Sequence, residues 1–327
     1  LRLAVPLQLD PTALDGWRPG APVVDFGGTT MGTTWHVRLA APAGFDRAEL
    51  IAAIEARLER ILAEMSHWRA DSVLGRFNRA PGGTWCALSA DFAFVFESAR
   101  AIAERCGGSF DPTIGELVDL WGFGPEPAPK HPPDRTQIAA ARQRAGLDRL
   151  AYDSESRRLR QPGGVRLDFS GIAKGFAVDA LGTLLRERGC YHALVEIGGE
   201  LLGLGMRPDG DPWWVDLETP TALAPPLRVA LHQLAVATSG DYVRGRHTID
   251  PRTGRPVQHT LAVSVLTPSA MIADAWATAL GVLGPSEMQA LAKHEKLAVR
   301  AIYRTEDGLR EWISPVLDAL LVEPEPA

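Results

Sequence analysis

The stretch Val165–Gly205, VRLDFSGIAKGFAVDALGTLLRERGCYHALVEIGGELLGLG, decides the fold. Val165–Phe169 alternates like a strand, and the small residues Ser170 to Gly175 turn a corner. Phe176–Arg188 then has helical period, with Ala177, Leu181, Leu184 and Leu185 on one side. Gly189 supplies the stop. His192–Ile197 reads as a second strand, closed by Gly198-Gly199. The corner sets backbone N–H groups and Lys174 at a helix N-terminus, which suits an anionic ligand. It has neither dinucleotide-fingerprint nor P-loop spacing, so a tight turn carrying a surface lysine stays open as well.

Upstream, residues 1–21 are proline-rich and read as an extended arm ahead of a single domain over 22–327. Val23–Leu39 reads as a strand pair around Gly27-Gly28. Arg47–Met65 is an amphipathic helix with Leu50, Ile54, Leu58 and Ile61 on one face. Ser66–Asn78 reads as a loop with Trp68 and Phe77 as anchors, where Trp68 can also stack on a ring ligand. Helices follow near 92–106 and 136–145, and a hairpin over 150–160. Asp111-Pro112 forces an extended or turn conformation at Asp111.

Downstream, Leu234–Thr238 and Leu261–Leu266 read as strands on either side of the turn-dense loop Arg246–Pro256. In that loop His247 is either a surface group or a general base. The helix Ala270–Leu280 has Pro268 at its first position and is almost wholly apolar. Its inner polar pair, Asp274 and Thr278, lies four residues apart and so on one face. Burying a carboxylate there is costly without a cation or several donors. One reading is an exposed Asp274 with Thr278 bonding back along the helix. The other is a hard-cation site completed by phosphate oxygens and water, as Mg²⁺ prefers. Strands and helices mix without regular alternation, which predicts α+β.

The 327 residues are 46% hydrophobic and 23% charged, with a formal net charge of −6. That is globular composition without a long basic run, which argues against nucleic acid as a partner. Cys86, Cys106 and Cys190 lack metal spacing, and in any pairing one is left over. This suits a reduced compartment or an exported protein that does not depend on disulfides. No run has transmembrane length. Leu1 in place of an initiating Met is compatible with a targeting segment removed earlier.

Together these stretches form an ordered series that resembles the ApbE family of FAD:protein FMN transferases. The series is Met31–Thr34, Asp71–Leu74 with Arg76–Asn78, and Phe110–Thr113 with Leu120–Gly124. It continues through Asp168–Gly175, Val195–Glu200, Ala237–Tyr242, His247–Pro256 and Ala273–Leu280, and spans about residues 24–304. The resemblance implies mixed and antiparallel sheets with flanking helices, T-fold-like, in two closely packed subdomains. It implies Mg²⁺-dependent transfer of FMN from FAD onto a Thr or Ser of an acceptor flavoprotein, such as a redox-complex subunit, with release of AMP. By motif position Met31, Trp68, Ser109, Phe110, Asp111, Lys174, His247 and Ile249 would contact FAD. Gly171, through its carbonyl, would join Asp274 and Thr278 on the metal. His247, Lys174 and Asp168 would be catalytic, His247 as base. Trp68 stands where the family often has Tyr, which keeps stacking and loses a phenol. The resemblance favours the periplasmic side of a bacterial inner membrane, through a removed signal or lipid anchor, and leaves the cytoplasm open. Two rivals are Mg²⁺-dependent hydrolysis of FAD to FMN and AMP, and flavin binding without turnover.

Overall fold

The computed structural model describes residues 1–6, 10–221, 224–241 and 247–322. Tyr242, the last residue of the motif stretch Ala237–Tyr242, and Arg246 at the start of the late loop lie outside them. The chain divides into two compact units, one of Leu1–Leu58, Lys174–Tyr242 and His259–Ala327, the other of Glu59–Ala173 and Val243–Gln258.

The first unit is built on an eight-stranded sheet. Its strands run in the order Gly308–Ile313, Ala298–Thr305, Thr260–Thr267, Leu234–Gly240, Glu200–Leu204, Ala193–Ile197, Thr33–Ala40 and Val23–Thr30. Every neighbouring pair is antiparallel. A four-stranded sheet joins Leu321–Val322, Arg2–Ala4, Leu227–Leu231 and Trp213–Asp216 in that order. One apolar cluster serves both sheets, with Leu194, Val236 and Leu266 from the large one and Trp213, Val215, Leu227 and Val229 from the small one. The α+β expectation holds. Within the stretch read as an arm, Arg2–Ala4 pairs parallel with Leu227–Leu231, a strand too short to show a period.

The strand pair near the N-terminus turns at Met31-Gly32, not at Gly27-Gly28. Met31 and Gly32 take φ of 49° and 71°, the left-handed pair that a two-residue hairpin requires. Gly27 and Gly28 lie inside the strand instead. A Cβ on Gly28 would stand 2.7 Å from the Trp35 indole nitrogen across the ladder, so the missing side chain makes room for the buried Trp35.

Two helices of this unit matter most. The corner helix runs Ala173–Glu187, three residues earlier than its period predicts, so Lys174 stands in its first turn. The late helix runs Ala270–Val282 and is buried along most of its length. Ser269 is its N-cap, accepting the Ile272 N–H, and Pro268 therefore precedes the cap rather than opening the helix.

The second unit holds the helices Val73–Arg79, Ala90–Arg105, Gly115–Leu120 and Arg135–Arg144, a small sheet of Trp85–Ala87, Arg158–Arg160 and Ala151–Asp153, and the short pair Ile249–Asp250 with Arg255–Pro256. Asp134 and Gln137 cap the Arg135–Arg144 helix reciprocally. Val165–Phe169 has the burial of a strand but is not one: Arg166 makes a single bridge to Ile114. Side chains do the work of the missing ladder. Asn78 donates to the Leu167 carbonyl at 2.9 Å and accepts its N–H at 2.7 Å. Gln161 likewise donates to the Val165 carbonyl and accepts its N–H. Buried backbone groups must be paired, and alternation in sequence does not say with what.

Candidate functional site

In the first unit the corner helix and the late helix meet at Gly175. A Cβ there would fall 2.2 Å from the Ala270 carbonyl oxygen, so only glycine permits this approach. The Gly175 N–H, one of the donors a helix start leaves without an intrahelical partner, donates to Asp274 Oδ2 at 3.0 Å. Asp179 clamps the same two helices. It accepts from Ser269 Oγ at 2.6 Å and from the Ala270 and Met271 N–H groups at 2.8 and 3.0 Å. A carboxylate at a helix N-terminus also complements its dipole.

Asp274 is 5% exposed. Burial pushes its carboxyl above the ordinary range, opposed first by the Lys174 ammonium and then by the Gly175 N–H. Lys174 in turn forms an ion pair with Glu200, whose side chain is 1% exposed. Burial pushes Glu200 up to about 8 despite that ammonium. Thr278 follows Asp274 by one turn and is partly exposed; among the described residues its hydroxyl makes no hydrogen bond back along the helix. Both halves of the simpler reading of this pair are corrected. Asp274 is not on the surface, because Gly175 and Lys174 give it a donor and a cation. Thr278 is not spent on its own helix. Two buried carboxyl groups face one ammonium, an oxygen donor set that fits a hard cation. No group of three or more His, Cys, Asp or Glu is arranged for a metal among the described residues. Met31, also of this unit, sits at the tip of the first hairpin in its left-handed turn.

The second unit holds the remaining candidates. Trp68 is 63% exposed, its ring 5.4 Å from that of His67. It is not an anchor, whereas Phe77 is fully buried; the stretch read as a loop is helical from Val73 to Arg79, and Phe77 packs from that helix. Ser109 spends its hydroxyl on the Cys106 carbonyl at 3.0 Å, and the Phe110 N–H donates to Cys106 Sγ at 3.3 Å. Asp111 accepts both the N–H and the hydroxyl of Thr113 at 2.8 and 2.6 Å. Burial still raises its carboxyl, the Thr113 bonds lowering it. Asp168 is buried, accepts the Ser170 N–H at 2.7 Å and stands 3.7 Å from His67 Nδ1. It lines a cleft with His67, Arg79, Asp119 and Arg166. Gly171 is partly exposed in the corner, three residues before Lys174.

The late loop of that unit is pinned by Trp121, whose indole donates to the Gly254 carbonyl at 2.8 Å. Ile249 buries its side chain with Leu117, Ile138 and Ala141, which leaves its backbone as the part able to meet a ligand. His247 stands edge-on to Phe123, ring centroids 6.5 Å apart at 77°.

Sequence reasoning gave Glu200 and Asp179 no role. Glu200 had a signal, an acid opening the apolar run Leu201-Leu202-Gly203-Leu204 directly after Gly198-Gly199. Asp179 had none, because its partners lie about ninety residues further on.

The sequence pattern of the ApbE family matches residues 31–303. The chain is 37% identical over 312 residues to the FAD:protein FMN transferase of Haemophilus influenzae, covering 88% of each chain. The solved flavin transferase ApbE from Vibrio cholerae superposes with a TM-score of 0.84 at 34% identity, covering 91% of this chain and 100% of that one. The apo flavinyl transferase ApbE from Pseudomonas stutzeri superposes with a TM-score of 0.85 at 35% identity, covering 91% and 96%.

Proposed function

The chain belongs to the ApbE family, and from that membership we propose that it is an FAD:protein FMN transferase acting on a Thr or Ser hydroxyl of an acceptor protein. The hydroxyl oxygen bonds to the phosphorus that carries FMN. The bridging P–O bond breaks, AMP leaves with the bridging oxygen, and the hydroxyl proton passes to the His247 imidazole. A hydroxyl is a weak nucleophile near neutral pH, so a base at this step contributes about 10²–10⁴-fold.

The observation that carries the reading is Asp274, 5% exposed in an apolar helix beside the Lys174–Glu200 pair. Lys174 offsets charge that builds on the phosphoryl oxygens during attack, where positioning and electrostatics supply most of the catalysis. Asp274 and Thr278 are the residues that would hold Mg²⁺, which when bound withdraws charge from those oxygens. Trp68, still largely exposed, has an open face on which an isoalloxazine or adenine ring can stack.

The test is incubation with FAD, Mg²⁺ and a candidate acceptor, followed by the intact mass of the acceptor and assay of AMP. A gain of one FMN per acceptor with equimolar AMP is expected. AMP and FMN without acceptor gain would identify a hydrolase instead. The same reading places the acceptor among subunits of redox complexes and the enzyme on the periplasmic side of the inner membrane; protease accessibility in spheroplasts tests that location.

A further inference from the structure

Glu200 opens the strand that follows the tight Gly198-Gly199 turn, opposite Ile197 in the ladder. One of its oxygens takes the Lys174 ammonium. The other, Oε2, is buried and has no hydrogen-bond partner among the described residues. Leaving a buried carboxylate oxygen unsatisfied is costly, and an apolar residue of similar volume would avoid the cost. Buried ion pairs are in general poor sources of stability, often matched or exceeded by a hydrophobic replacement. Stability alone therefore does not account for an acid at this position.

The pair is also asymmetric. The Lys174 side chain is 26% exposed while that of Glu200 is 1% exposed. A ligand can reach the cation, but not the carboxyl group that grips it. Two further carboxylates act on the same ammonium, Asp274 in the late helix and Glu218. A lysine on a four-carbon stem is mobile. Without a fixed partner its charge would wander among these acids.

We propose that Glu200 is a positioning residue: it holds the Lys174 ammonium at the place where the pyrophosphate of FAD is bound, and acts on that ligand only through Lys174. The inference rests on the functional reading above, in which Lys174 meets the phosphates.

The test compares the unaltered chain with Lys174→Met, Glu200→Gln and the double variant. FAD and riboflavin are each titrated by flavin fluorescence, and Tm is measured for all four proteins. Losing one charge-assisted contact corresponds to about tenfold or more in Kd. Each single variant should lose about that factor for FAD. The double variant should be within about twofold of Lys174→Met alone, since residues acting through one another are not additive. Riboflavin, which lacks the phosphates, should bind all four proteins alike. The Tm of Glu200→Gln should equal or exceed that of the unaltered chain, whereas a structural acid would lower it. Unaltered FAD affinity in Glu200→Gln overturns the proposal. So do losses that multiply in the double variant, or an equal loss for riboflavin. An unaltered chain that binds no FAD removes the functional reading itself, a result distinct from any of these.

Discussion

Asp274 and Asp111 are both carboxylates that burial pushes above the ordinary range, and their surroundings use them differently. Asp111 closes a local turn with two bonds to Thr113, two residues away. Asp274 takes one N–H from a helix almost a hundred residues earlier in the chain and faces an ammonium already shared with Glu200. The first is largely spent on the conformation of its own loop; the second keeps capacity for a cation. The same contrast runs through their units. Ser109, Phe110 and Ile249 are committed to caps and core, whereas Lys174, Asp274 and Thr278 are carried on two helices locked together at Gly175. A buried acid signals function only after its local hydrogen bonds have been counted.

The sharpest way to break this contrast is Asp274→Ala. Removing the carboxylate should cut Mg²⁺-dependent transfer by at least about a hundredfold, the scale of losing one electrostatic stabiliser, while circular dichroism still reports the native fold. Transfer at the wild-type rate would place the chemistry elsewhere. His247→Ala, in the second unit, should slow transfer about a hundredfold and leave the Kd for FAD within a few fold. Equal losses in rate and binding would remove its role as base.

Two smaller effects sharpen the comparison. Trp68→Ala should weaken FAD binding by about two- to tenfold, from the ~0.5–1.5 kcal/mol of an aromatic stack. Its Tm should hardly move, because the ring is 63% exposed; a large fall in Tm would make Trp68 an anchor after all. The smallest effect concerns pH. Glu200 is pushed up to about 8 in the fold from an ordinary 4.5, so the folded state holds its proton more tightly than the unfolded chain. Its contribution to stability is then complete below about pH 4.5 and lost as pH rises through about 8. Comparing Tm at pH 6 and pH 9, Glu200→Gln should lose less than the unaltered protein. An identical pH dependence in the two would show that Glu200 does not titrate in this range.

The helices were legible because their apolar period is long: Arg47–Met65 matches its sequence reading, and the corner helix starts three residues early and ends one residue short of its reading. The first hairpin turn was hidden because Gly27-Gly28 looks like a turn from composition, while the real turn is set by left-handed backbone at Met31 and Gly32. Val165–Phe169 was misjudged because alternation reports burial and not the partner, here the side chains of Asn78 and Gln161. Of the candidate site, the family motifs named the residues, but the state of each was hidden. Whether Asp274 is buried depends on Gly175, and whether Ser109 has a hydroxyl to spare depends on Cys106. The roles of Glu200 and Asp179 rest on long-range contacts that no local period encodes.

Asp179 has one further consequence. Rising from the middle of the corner helix, it grasps the Ser269 hydroxyl and the amides of Ala270 and Met271, so the start of the late helix is fastened to a neighbour as well as to its own cap. The pair is thus geared: a slide or roll of one helix drags the other, and Lys174 and Asp274 cannot be separated by backbone motion without tearing this joint. Adjustment to an incoming ligand is left to rotamers, to the lysine stem above all, which makes this part of the molecule a rigid jaw with a single supple tooth.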